Sequence, residues 1–134
     1  MITRGLELVM LIDDNSTDNF INERVIQMSG FSKQIITVDK GRNALDYLKV
    51  NEADLAKIPE LILLDLNMPV VNGFAFLDEF IKLPEKIKTK SRIVVLTSSD
   101  KIEDIDAIKE LPIIMDYISK PLSEKSLQNL LLKL

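Results

Sequence analysis

A five-stranded, doubly wound parallel α/β sheet is the fold class this 134-residue sequence predicts. Three observations carry it. Short apolar runs (Leu8 to Ile12, Leu61 to Leu64, Ile93 to Leu96) recur along the chain, each followed by a polar residue, and bounded runs of this length read as buried parallel strands. Stretches with apolar residues at helical spacing separate them, giving repeated β-α units. Two of the runs close on carboxylates, Asp13-Asp14 and Asp65, and in open α/β sheets ligands bind just outside the carboxyl ends of the strands.

Each element follows in order. Leu6–Ile12 is the first strand. Asn15 or Ser16 can cap a helix in which Ile21, Val25 and Met28 recur at i, i+4, i+7 with Phe20 beside them, and Gly30 ends it. Residues 34–38 form a second strand, short and polar enough to lie near an edge. Gly41–Val50 is a second helix with Ala44, Leu45 and Leu48 inward. After the polar stretch 51–57 and Pro59, the third strand runs into Asp65, and Asn67-Met68-Pro69 with Asn72-Gly73 make the turn that follows. Phe74, Leu77 and Ile81, with Phe80 alongside, predict a third helix.

Arg92–Thr97 is the fourth strand and 100–110 a fourth helix, thinly apolar through Ile102, Ile105 and Ile108. A short fifth strand over 115–119 closes on Lys120-Pro121. The last helix follows Ser123, a cap candidate with Ser126 three residues on, and places Leu127, Leu130, Leu131 and Leu134 on one stripe. Right-handed crossovers and strand order 2-1-3-4-5, the flavodoxin-like arrangement, set the ends of strands one and three side by side. One domain over residues 1–134 is expected.

Composition removes several chemistries. The chain has no cysteine and no histidine, which excludes thiol and Ser-His-Asp catalysis, HExxH zinc sites and an internal phosphohistidine. A net charge of −4 argues against nonspecific nucleic-acid binding, which needs a basic face. No apolar stretch reaches the roughly 18–20 residues of a membrane span, and no signal pattern opens the sequence. A cytoplasmic protein with no membrane or nucleic-acid partner is the expectation.

Strands one and three would lie about 4.8 Å apart, crowding Asp13, Asp14 and Asp65 together. Carboxylates this close repel unless a cation compensates. Mg²⁺ suits the site, because it takes oxygen ligands, keeps several waters and serves phosphoryl groups. Lys120 adds a further positive charge, so the three carboxylates are balanced before a phosphoryl dianion arrives. Thr97 offers a hydroxyl at the same rim.

In these residues the chain resembles the receiver domains of two-component response regulators. An acidic pair after strand one, Asp65-Leu66-Asn67-Met68-Pro69 with Gly73 soon after, Thr97 ending strand four and Lys120-Pro121 after strand five occur in order over essentially the whole chain. The resemblance implies that Asp65 accepts a phosphoryl group from a partner histidine kinase or histidine phosphotransfer protein. It implies that Asp14 ligates Mg²⁺ directly and Asp13 mainly through water, with Asp65 and the backbone carbonyl of Asn67 completing the protein ligands. Thr97 and Tyr117 would move together as the switch, and Lys120, with a cis bond to Pro121, would pair with the phosphoryl group. Asn67 and Ser99 occupy positions that tune acyl-phosphate lifetime. The long segments 51–60 and 84–91 are similar to those of stand-alone regulators that partner phytochrome-type kinases. Such a domain is no enzyme beyond its own aspartyl phosphorylation and dephosphorylation. With no output domain, it would signal to an unknown downstream protein by docking or phosphotransfer, with a homodimer through the helix-four, strand-five, helix-five face as one form.

Other readings compete residue by residue. Asp13-Asp14 could simply cap the first helix, and Tyr117 could simply pack. The basic run Lys82, Lys86, Lys88, Lys90, Arg92 reads as a solvated loop face, and the acids of 100–110 as solvent-facing or as a docking surface. Leu132 lies off its helix's apolar stripe. A pseudo-receiver that never takes phosphate is countered by the complete set of site residues. A haloacid-type phosphatase wants an acid two residues after its nucleophile, where Asn67 stands. A flavin site would need a phosphate-cradling loop after strand one, where the acids lie.

Overall fold

The computed structural model describes residues 5–65, 70–97 and 111–134, with side chains for all of these except 70–72. Five parallel strands, β1 (Leu6–Ile12), β2 (Ser32–Val38), β3 (Leu61–Asp65), β4 (Arg92–Thr97) and β5 (Ile114–Ser119), form one sheet in the order β2-β1-β3-β4-β5. Five helices accompany them among the described residues: α1 (Ser16–Ser29), α2 (Gly41–Val50), α3 (Val70–Phe80), α4 (Glu85–Lys90) and α5 (Glu124–Leu131). Fold class and strand order are those expected from the sequence. None of these helices is long and apolar enough to cross a membrane.

Strand alternation explains why both faces are covered. Met10, Ile12, Ile62, Leu64 and Ile93 point to a core built with α2, α3 and Ile87 of α4. Their neighbours Val9, Leu11, Leu61, Leu63, Val94 and Leu96 point to a second core with Ile26 of α1 and with Leu127 and Leu130 of α5. With side chains buried in both directions, the strands are continuously apolar rather than alternating. β2 and β5 are the two edges, and both are less buried than β1, β3 and β4. The last helix begins at Ser123, whose side chain and that of Ser126 form a capping box.

Two helices present faces other than those expected. In α1 the buried residues are Asn19, Asn22, Ile26 and Ser29, while Phe20, Ile21 and Met28 are exposed. The caps set this phase. Asn15 accepts from the backbone N–H groups of Thr17 and Asp18, and Gly30 closes the helix at φ 75°. Buried Asn19 then reaches the strand ends, so a polar stripe faces the sheet. In α3, Phe76 is buried with Leu77 and Phe80, Phe74 is only half-buried, and Ile81 lies past the helix end with about half its surface exposed. The segment 84–91, expected to be loop, contains α4, fastened by the fully buried Ile87. The helix expected over 100–110 lies outside the described residues.

Candidate functional site

Strand register builds the site. Ile12 pairs with Val38 on one side and Leu64 on the other, so Asp13 and Asp65 are the next residues along two adjacent strands. Thr97 pairs with Ser119, and Lys120 follows. The Lys120 N–H donates to the Thr97 carbonyl at 2.8 Å, and the Lys120–Pro121 bond is cis, as the resemblance implied. Asp13, Asp65, Thr97 and Lys120 therefore meet at the carboxyl rim of the sheet.

Asp13 and Asp65 are buried, each 1% exposed. Lys120 compensates them: its Nζ forms a close ion pair with Asp65 Oδ2 and lies 3.5 Å from Asp18 Oδ2. The Asp13 carboxyl is pushed up from 3.8 to about 7, first by burial and then by the adjoining Asp65 carboxylate. The Asn15 N–H, which donates to Asp13 Oδ1 at 3.0 Å, and the Lys120 charge pull the other way. Asp13 Oδ2 has no N–H or hydroxyl donor among the described residues.

One oxygen each from Asp13, Asp18 and Asp65 lies within 4.8 Å of the others. An all-carboxylate donor set with an undonated buried oxygen fits a hard divalent cation such as Mg²⁺. Asp14, expected as the direct ligand, is exposed and lines a cavity of about 480 Å³ beside Gly41 and Phe76, between α2 and α3. Among the described residues the carboxylates that cluster with Asp13 and Asp65 include Asp18, from the first turn of α1. Asn67 and Ser99 lie outside the described residues. Thr97 is buried at the end of β4, and Tyr117 is half-buried against Val95. A larger cavity of about 750 Å³ sits at the amino-terminal end of the strands, between Glu7, Lys33, Lys90 and Leu134, and includes none of these residues.

Asp18 carries a signal that sequence reasoning overlooked. It is the third residue of a helix that starts directly after β1, and that first turn necessarily hangs over the strand ends. Asn19 holds the turn there: its Nδ2 donates to the Asp13 carbonyl at 2.9 Å and the Val38 carbonyl at 3.4 Å. Asn19→Ala leaves the buried Asp13 carbonyl without this donor, while the Val38 carbonyl keeps the Asp13 N–H, and should cost about 1–3 kcal/mol. A urea unfolding curve is the check, and an unshifted midpoint would show that the amide holds nothing.

A family model described as the response regulator receiver domain matches residues 9–132. A two-component response regulator from Cytophaga hutchinsonii superimposes with TM-score 0.84 and 33% identity, over 97% of this chain and 97% of that one. Bacteriophytochrome response regulator RtBRR does so with TM-score 0.72 and 30% identity, over 96% of this chain and 77% of that one. Response regulator Rcp1 of Synechocystis sp. is 30% identical across 90% of this chain and 81% of its own length. A solved Mn²⁺-bound form of Rcp1 has TM-score 0.66 at 29% identity, over 92% of this chain and 88% of that one.

Proposed function

Because the chain belongs to the response regulator receiver family, we propose that it is a phosphorylation-dependent signalling switch whose acceptor is Asp65. Receiver domains are signalling proteins that take phosphoryl groups from histidine kinases. The observation that carries the reading is the environment of Asp65: a buried carboxylate at the end of β3, ion-paired to Lys120 and flanked by Asp13. A nucleophile in that place is shielded from water, and a cation stands beside it where negative charge will develop.

In the proposed reaction an Asp65 carboxylate oxygen attacks the phosphorus of a phosphohistidine on the donor. The O–P bond forms as the P–N bond breaks, and the electron pair returns to the imidazole, which takes up a proton. Lys120, released from Asp65 Oδ2, pairs with a phosphoryl oxygen. Asp13, Asp14, Asp65 and the Asn67 carbonyl would hold Mg²⁺, which when bound neutralises charge on the transferring phosphoryl group. The Thr97 hydroxyl supplies a hydrogen bond to the phosphoryl group at the end of β4. Thr97 and Tyr117 then bias the β4–β5 side of the domain toward a second arrangement, a population shift that a partner reads. The donor is a histidine kinase or phosphotransfer protein in the cytoplasm, and the output is docking to a downstream protein, with dimerisation through the β5–α5 side as one route.

Incubation with Mg²⁺ and acetyl phosphate tests this. Intact mass should show one phosphoryl adduct, and borohydride reduction followed by peptide mapping should place it at Asp65. Absence of the adduct, or its placement on another residue, would refute the assignment.

A further inference from the structure

Lys120 is held from two sides. Its ammonium, with 18% of the side chain exposed, lies between Asp65, whose side chain is 1% exposed, and Asp18, which is 33% exposed. Asp18 belongs to a fixed element. Its backbone N–H donates to Asn15 Oδ1 at 3.0 Å, and Asn19, the next residue, ties the same turn to the Asp13 and Val38 carbonyls. The Lys120 backbone is fixed as well, through its N–H on Thr97, but a four-carbon stem lets the ammonium range between partners.

Phosphoryl transfer makes opposite demands on that ammonium. Before transfer it offsets the crowding of Asp13 and Asp65. During transfer it must loosen from the Asp65 carboxylate and reach the phosphoryl oxygens, because a close ion pair withdraws electron density from the carboxylate that attacks. A cation leaving a buried carboxylate moves readily only toward another negative group. Asp18 is that group, on the more exposed side from which the donor must approach.

We propose that Asp18 is a positioning residue for Lys120, drawing the ammonium off Asp65 as the Asp65 oxygen attacks and steadying it against the phosphoryl oxygens afterward. The inference rests on Asp65 being the acceptor. It concerns a residue that the acidic pair, the phosphoacceptor and the lysine of the receiver pattern do not include. The competing role for Asp18 is a first-turn acid that merely favours the helix N-terminus.

The experiment is a double-mutant cycle on the rate of adduct formation, with acetyl phosphate as donor. In that assay the Asp65 oxygen bonds to phosphorus, the bridging O–P bond of acetyl phosphate breaks, and acetate leaves with the electron pair. Asp18→Asn should slow adduct formation about tenfold, the equivalent of one pK unit of lost charge interaction. Asp18→Glu should recover the rate to within about threefold, since it keeps the charge. In a Lys120→Met background, Asp18→Asn should change the residual rate by less than about twofold, because a residue acting through another is silent once that other is gone. Asp18→Ser, also compatible with a helix start, serves if the asparagine variant folds poorly. A wild-type rate in Asp18→Asn, or an equal loss in both backgrounds, overturns the inference while leaving Asp65 as acceptor. A wild-type protein that takes no phosphoryl group fails at the earlier step and overturns both.

Discussion

Asp65→Asn should abolish the phosphoryl adduct completely and leave a protein that, without metal at pH 8, is more stable than wild type. The first half follows from chemistry: a neutral amide has no anionic oxygen to attack phosphorus, and the exposed Asp14 is not placed beside Lys120 to replace it. The second half follows from electrostatics. In wild type two carboxyl groups, each 1% exposed, adjoin one another at the ends of neighbouring strands, and above neutral pH the ionised Asp13 stands beside Asp65 with Lys120 as the nearby cation. Removing one charge lets Lys120 compensate Asp13 and Asp18, and lowers the Asp13 carboxyl from about 7 by the share that Asp65 contributes, while burial still holds it up. The gain should be about 1 kcal/mol, the scale of one pK unit. Intact mass and thermal melts of the two proteins at pH 8 read both halves. A variant that melts well below wild type would mean that the Asp65–Lys120 pair supports the fold more than it strains it. The acceptor would thus be an instance of a functional site maintained at a cost in stability.

How much of this was legible in the sequence depended on what each residue answers to. The three central strands were plain because parallel segments buried on both faces must be continuously apolar, and parallel register then carries the terminal aspartates to one rim. Asp13, Asp65, Thr97 and Lys120 could be placed with no side-chain geometry for that reason. The phase of α1 could not. Ile21 and Met28 look like a core stripe, but the helix is rotated by its Asn15 cap and by Asn19 hydrogen bonding to strand-end carbonyls, interactions that leave no hydrophobic trace. The same rotation brings Asp18 over the site and was invisible for the same reason. Phe76 was passed over because Phe74 and Ile81 complete an equally good helical spacing, and only packing against α2 decides between them. α4 is a helix of 6 residues, too short for a periodic signal, and its single anchor Ile87 becomes informative only once a core is there to receive it.

The coupling between Asp13 and its neighbours also sets a pH dependence. Asp13 titrates near 7 in the folded protein against 3.8 for an unperturbed side chain. Below about pH 4 both folded and unfolded chains carry the proton, and the group contributes no slope. Between about 4 and 7 the unfolded chain has lost the proton while the folded one keeps it, so the folded state binds more protons and stability falls as pH rises. Above 7 both are deprotonated, and the full cost of burying the second carboxylate persists, a few kcal/mol at most by linkage. If Asp13 is a ligand, as proposed, Mg²⁺ requires its deprotonated carboxylate, so binding below pH 7 should expel this proton and the apparent affinity should rise with pH up to that point. Thermal melts at pH 5.5 and 8, with and without saturating Mg²⁺, should therefore show the metal-free protein losing stability toward pH 8, and Mg²⁺ raising the melting temperature more at pH 8 than at pH 5.5. Asp13→Asn separates this from other titrations, since it should flatten the metal-free decline between 4 and 7 while leaving the carboxylate-driven loss of stability in stronger acid. A decline of equal size in wild type and Asp13→Asn would place the titrating group elsewhere. Were the decline present in wild type and Mg²⁺ equally stabilising at both pH values, the buried proton would not be the one that metal displaces, and Asp13 would not be among the metal's ligands.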